Sequence, residues 1–265
     1  MRSSTPRSSI RMRHLFSAVA LALVVVACTK KEEKTESVIT FQNKTFRVES
    51  PGGCKADSLQ CAFYEVTYPV FAGLDTAVAI RLKKNIDGSV SMGNPEAEGK
   101  TMEQIGAEFI QDYEDFRKEM SDVPGGWNYQ AQVTVETLID TLLSLSVHEE
   151  YYTGAAHGGY GVYYINVNPR TGAEFTLDNI LRSGYQEPLV KAGEKAFRHV
   201  RNLADTASLN ANYFEFADDK FQLNQNYGFK KEGIVFYYNN YEIAAFATGP
   251  TEVLIPYEEI KDWLK

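Results

Sequence analysis

The chain has 265 residues, with 27 Lys and Arg against 35 Asp and Glu, a formal net charge of −8. That acidic balance argues against nucleic acid and anionic lipid as partners and leaves either plain solubility or a cationic partner steered to the surface. With 16 Tyr and 15 Phe the chain can build a large aromatic core, in one domain or in two small ones packed together.

Residues 1–14 carry Arg2, Arg7, Arg11 and Arg13 and no acid, and "LFSAVALALVVVAC" follows. A basic segment, a short apolar run and a small residue at its end read as a secretory signal, 1–27. The run is too short for a transmembrane helix, which needs ~20 apolar residues. Its end, "VVAC", resembles a bacterial lipobox, and the resemblance implies cleavage before Cys28 and lipidation of that cysteine. Losing the signal removes four arginines and no acid, which leaves 23 basic against 35 acidic residues, a net −12. Residues 28–37, with the all-polar run "TKKEEKTES", read as a flexible tether. "KKEEK" is similar to an export signal that carries some lipoproteins to the cell surface. The expectation is a lipid-anchored protein of the bacterial outer membrane, on its periplasmic or its surface-exposed face, touching the membrane through the anchor only. Cys54 and Cys61 remain in exported chain and are expected to pair as a disulfide; two isolated cysteines make a poor zinc site, which wants four ligands.

In chain order, "VITFQNKTFRVES" alternates around Ile39, Phe41 and Phe46 and predicts a strand pair turning at "QNKT", or a bent strand. "CAFYEVTYPVF" predicts another strand, with Pro69 marking an edge or bulge. Leu74, Val78, Leu82 and Ile86 recur every four residues and predict an amphipathic helix. A second helix is predicted over 101–120, capped by Thr101 with Gln104 as its box partner and striped by Ile105, Phe109, Tyr113 and Phe116. Two strands follow, roughly 127–138 and 141–152. In the second, Leu143, Leu145 and Val147 alternate with Ser144, Ser146 and His148, which predicts one buried and one solvated face. "YTGAAHGGYG" connects it to a strand "YGVYYINVN", and "PRTG" turns the chain into "AEFTL". The region 177–204 is predicted mostly helical, with a stripe of Leu189, Val190, Gly193, Ala196, Phe197, Val200 and Leu203, and with His199 solvated. "KFQLN", "YGFKKEGIVFYYN" and "TEVLIPY" predict three or more strands, and "EEIKDWL" a closing helix. Runs of strands separated by helices predict an α+β fold of antiparallel sheets packed by a few amphipathic helices, in two closely packed subdomains, 38–138 and 139–265.

The search for chemistry finds little. "HEEYY" opens like a zincin helix, but Tyr152 stands where the second histidine belongs, so no metal site is expected. There is no Gly-x-Ser-x-Gly elbow, no phosphate-cradling loop and no free cysteine once Cys54 and Cys61 pair. The expectation is no catalytic residue, no cofactor and no enzyme activity. The glycines Gly154, Gly158 and Gly159 would let the loop turn sharply or let a partner come close. With Tyr151, Tyr152, His157 and Tyr160 they form the candidate ligand-binding set.

Three stretches carry a family resemblance. "EVTYPVFAGLDTAVAIRLKKNI" is similar to the opening of the domain that precedes the catalytic module in PdaC-type peptidoglycan deacetylases. "TGAAHGGYGVYYINVNPRTGAEFTLDNIL" and "FYYNNYEIAAFATGPTEVLIPYEEI" resemble the Gly-Ala-His loop and the closing signature of the RsiV-like extracellular family. The resemblance covers most of residues 60–262. It implies an extracellular binding domain, with a lysozyme-like cationic protein or peptidoglycan as the partner. Deacetylation and sigma-factor inhibition do not carry over, since neither a catalytic module nor a cytoplasmic segment is read here. The family's usual Gly-Gly-Ala-His appears as Gly154-Ala155-Ala156-His157, one glycine short. The rival readings are a cell-wall hydrolase using His157 with nearby carboxylates, and a structural envelope component.

Overall fold

In the computed structural model the described residues are 38–54, 60–120 and 125–265. The expected signal, Cys28 and the tether lie outside them. Residues Ser37–Lys265 make one compact unit.

The chain begins with β1 (Thr40–Glu49), a single continuous strand with no turn at Gln42–Thr45. It pairs antiparallel with β2 (Ala62–Ala72) along its full length, Thr40 opposite Ala72 and Glu49 opposite Phe63. The Cys54–Cys61 disulfide ties the connection between them, with the two Cα atoms 5.5 Å apart. Two helices follow, α1 (Thr76–Ser89) and α2 (Met102–Glu119). The Asp75 side chain caps α1 by accepting from the Ala77 N–H. Thr101 and Gln104 form the expected capping box on α2. The helices are the crossover that lets β3 (Trp127–Ile139) run parallel to β2, against the expectation of antiparallel sheets alone. Pairing between β2 and β3 stops at Thr67, so Pro69 sits where no N–H is needed on that side. β4 (Leu142–Tyr152) and β5 (Gly159–Val167) complete a mixed sheet ordered β1-β2-β3-β4-β5.

The helices cover one face of this sheet. Leu82 and Ile86 of α1 and Ile105, Phe109 and Tyr113 of α2 are buried there with Tyr64, Tyr129, Val133 and Leu145. Tyr64 and Tyr129 stack at 4.6 Å, and the Tyr64 hydroxyl donates to the Val90 carbonyl at 2.6 Å. The same face buries a carboxylate, Glu149, which is 3% exposed. It accepts from the Tyr129 hydroxyl at 2.8 Å and also takes hydrogen bonds from Tyr163 and the Met92 N–H. Burial raises its pKa above the ordinary 4.5, and these three donors oppose the rise.

A second, antiparallel sheet consists of β6 (Tyr227–Phe229), β7 (Gly233–Tyr238) and β8 (Thr251–Pro256). Before it come a one-turn helix α3 (Leu177–Ile180) and α4 (Gln186–Val200), which packs on β8. Phe197 sits at the centre of this core, with its ring 5.0–5.5 Å from those of Phe214, Phe216 and Phe221. His199 is exposed as expected, but so is Val200, because α4 ends there and turns its last residue outward. "AEFTL" makes only the isolated bridge Val167–Glu174 before α3, "KFQLN" forms no strand, and the closing helix is a 3-10 helix, Tyr257–Trp263.

The second sheet stands on the outer face of the first. The Thr137 hydroxyl donates to the Phe229 carbonyl at 2.7 Å, and the Phe229 N–H donates to Ser144 Oγ at 3.0 Å. Ser144 and Ser146 are therefore fully buried, not solvated. Ser144 donates on to Asn166, and Ser146 donates to Glu136 at 2.6 Å. Their short side chains let the β6 backbone come close, which alternation of polarity cannot distinguish from exposure to water. The boundary expected at 138/139 falls inside β3, one residue before its end, and the five-stranded sheet continues past it through β4 and β5.

Two outcomes follow from this fold. Replacing Cys54 and Cys61 by Ser lowers stability by about 2.5 kcal/mol on loop entropy, read as a drop of roughly 5–10 °C in Tm; an unchanged Tm would show that the loop is held without the bond. Glu149 binds its proton more tightly folded than unfolded, so its contribution is full below the unfolded value and is lost as pH rises through the folded one. Denaturation of wild type from pH 4 to 7 should show that loss, and Glu149→Gln should remove it; equal slopes in both would sink the assignment.

Candidate functional site

The connection 153–158 between β4 and β5 is the loop singled out in the sequence. Gly154 has φ +84, in the left-handed region, and turns the chain. Gly159 and Gly161 serve tyrosine rings instead. Tyr151 lies opposite Gly159 and its ring covers that glycine, so that a Cβ there would collide with it. A Cβ at Gly161 would come within 3.0 Å of the Tyr163 hydroxyl, which reaches past it to Glu149. The alternating Gly and Tyr residues are thus one packing unit, with ring on backbone.

The loop carries His157 to the surface, where its Nδ1–H donates to the Gly158 carbonyl at 2.8 Å. One face of the imidazole stacks on the Phe246 ring, with centroids 4.3 Å apart. Tyr160 meets the same ring edge-on at 6.0 Å, and its hydroxyl donates to Asn240 at 3.2 Å. Tyr241 approaches Phe246 from another side at 5.7 Å. The four rings make one aromatic surface, with Tyr241 66% exposed and Tyr160 37%.

Two side chains position Phe246. Asn239 pins the start of its loop to β5, accepting from the Val162 N–H and donating to the Val162 carbonyl. Arg201, at the end of α4, holds the other end. Its guanidinium donates to the carbonyls of Thr248, Gly249 and Pro250 and to the Thr251 hydroxyl. Desolvation in that setting lowers the Arg201 pKa from its ordinary value. Tyr241 has φ +67, so an exposed aromatic is held in a backbone region that costs a non-glycine residue about 1 kcal/mol or more.

Of the residues expected to bind, His157 and Tyr160 come together on this surface, and Gly158 and Gly159 supply its backbone. Tyr151 turns inward against the helix-covered core, and Tyr152 stands opposite Asn128 on β3. Reasoning from the sequence missed Phe246, Tyr241, Asn239 and Arg201. Phe246 and Tyr241 lie inside the stretch "FYYNNYEIAAFATGP", but nothing in it says that they meet His157. His148 is exposed on the outer face of β4 while Glu149 is buried on the other, so strand alternation keeps them apart. Among the described residues no three His, Cys, Asp or Glu side chains come together as metal ligands.

Comparison with known proteins locates these elements. Residues 55–160 match the family described as Deacetylase PdaC, and residues 178–258 match the family described as Protein of unknown function (DUF3298). No curated relative matches the chain. Two crystal structures share the fold. A member of the DUF3298 family from Bacteroides fragilis has a TM-score of 0.64 at 22% identity, over 87% of this chain and 95% of that one. A DUF3298 family protein from Pseudomonas aeruginosa has a TM-score of 0.60 at 20% identity, over 87% and 96%. The aromatic surface takes His157 and Tyr160 from within the first match and Tyr241 and Phe246 from within the second. The chain is built of a PdaC domain followed by a DUF3298 domain.

Proposed function

We propose that this is a non-enzymatic, lipid-anchored protein of the bacterial envelope that holds a cationic protein of the lysozyme class on the aromatic surface around Phe246. The observation that carries the reading is the convergence of His157 and Tyr160 with Tyr241 and Phe246 from the other domain. Exposed, positioned aromatic clusters belong to recognition surfaces more than to folding. Ring faces attract Lys and Arg side chains, and the acidity of the chain adds long-range attraction. The resemblance to RsiV-like proteins points the same way. A cell-wall glycan stacked on the same rings is the second ligand class to test.

The Cys54–Cys61 disulfide supports an oxidising, extracytoplasmic setting. No helix among the described residues is long and apolar enough to cross a membrane. The hydrolase reading draws less support. The Nδ1 of His157 is engaged by the Gly158 carbonyl, and no carboxylate among the described residues is hydrogen-bonded to its ring. Turnover of peptidoglycan fragments that is lost in His157→Ala would revive it.

Calorimetry of the 38–265 fragment with lysozyme at low and moderate salt should show binding that weakens as salt rises. Phe246→Ala should reduce affinity at least about tenfold; no heat at either salt, or an unaffected Phe246→Ala, would end this reading. The anchor has its own measurement: Cys28→Ala should move the protein from the membrane to the soluble fraction, and continued membrane attachment would refute lipidation.

A further inference from the structure

A cleft of about 920 Å³ opens away from the aromatic surface, between α1, the loop 91–100 and the C-terminal half of β5. Gln225 and Tyr227 close its far side. Its floor is the outer edge of β5, the edge strand of the large sheet. Along that edge the main-chain groups of Val162, Tyr164 and Asn166 point away from β4. Most of them are taken. Asn239 and Asn226 bind the Val162 N–H and carbonyl, Asn226 accepts from the Tyr164 N–H, and the Phe175 N–H donates to the Asn166 carbonyl. Between these points the Tyr164 carbonyl and the Asn166 N–H take no partner among the described residues.

Those two groups flank Ile165 and point the same way. That is the pattern one residue of a parallel strand satisfies, with its N–H donating to the first and its carbonyl accepting from the second. An isolated acetamido group, such as a sugar carries, cannot do both, because the N–H and C=O of one trans amide point in opposite directions. The cleft wall adds a charge. Arg81 spends its guanidinium on the carbonyls of Thr171 and Gly172, and Lys100 pairs with Glu108 at 2.6 Å. Lys84 is exposed at the cleft and has no ion-pair partner among the described residues.

The geometry points to an extended peptide with a carboxylate as the ligand of this cleft. One of its residues adds to the β5 edge between Tyr164 and Asn166, and its carboxylate meets Lys84. Asn85, Asn94 and Gln225 line the remaining wall with amides suited to a polar backbone. This site is separate from the aromatic surface and does not depend on what that surface binds.

The test uses the full-length chain in detergent and acetyl-Val-Thr-Val-Asp with a free C-terminus. At saturation, hydrogen exchange of the Asn166 amide should slow at least about tenfold. N-methylating the pairing amide of the peptide should abolish both binding and protection. Lys84→Glu, an exposed position that leaves the fold intact by circular dichroism, should weaken binding about tenfold. Unchanged exchange at Asn166 overturns the proposal, as does equal binding by every N-methylated peptide. Equal protection by N-acetylglucosamine overturns the peptide class, and wild-type affinity in Lys84→Glu overturns the role given to the carboxylate.

Discussion

The structure turns on how the outer edge of β5 is closed. A five-stranded sheet must end somewhere, and its last strand leaves a row of N–H and C=O groups that need partners. Here the partners are mostly side-chain amides. Asn226 and Asn239 reach across from the second domain and bond Val162 and Tyr164, while Asn166 reaches back to the Tyr227 carbonyl. With Thr137 and Ser144 binding Phe229 from below, these few residues join the two sheets into one body. Asn239 then opens the loop that carries Phe246, so the seam also sets the aromatic surface. Where the amides stop, the peptide-sized gap at Tyr164 and Asn166 begins.

Packing, both between the domains and within the first, depends on small residues at the points of contact. Gly228 of β6 lies under the Tyr164 ring, where any Cβ would collide. Gly106 does the same for α2 against Tyr64, Phe46 and Val48. In both places a bulky ring lies on bare backbone, which brings elements closer than two side chains would allow. Tyr151 on Gly159 repeats the device beside the loop itself. A tyrosine ring on a bare glycine is thus one packing device that this chain uses several times.

Local features were readable without a structure. The Thr101–Gln104 box, the apolar stripes of α1 and α2, the paired strands around residue 140 and the turn at 153–158 all follow from periodicity and capping chemistry, which act over a few residues. Pairings set by distant residues were not readable. Ser144 and Ser146 have the pattern of a wet face, yet they are dry, because β6 arrives from more than 80 residues downstream. The parallel step between β2 and β3 depends on where the α1–α2 crossover sets the chain down. The candidate site divides in the same way: His157 and Tyr160 stood out in their glycine-rich loop, whereas Phe246 needed the fold to bring it there, and Arg201 looked like any charge at a helix end.

A seam made of amides and hydroxyls differs in kind from one made of leucines. Once the domains separate, water can replace nearly every hydrogen bond across it. Separation also bares the rim of β5, nine residues of Gly, Tyr, Val and Ile with a single Asn and no charge. Detachment of the second domain would thus leave an adhesive edge on the first, ready to pair with the same strand of another molecule. The asparagines are therefore guards against self-association as much as fasteners, and a variant that loses Asn226 and Asn239 together would reveal itself first as aggregate.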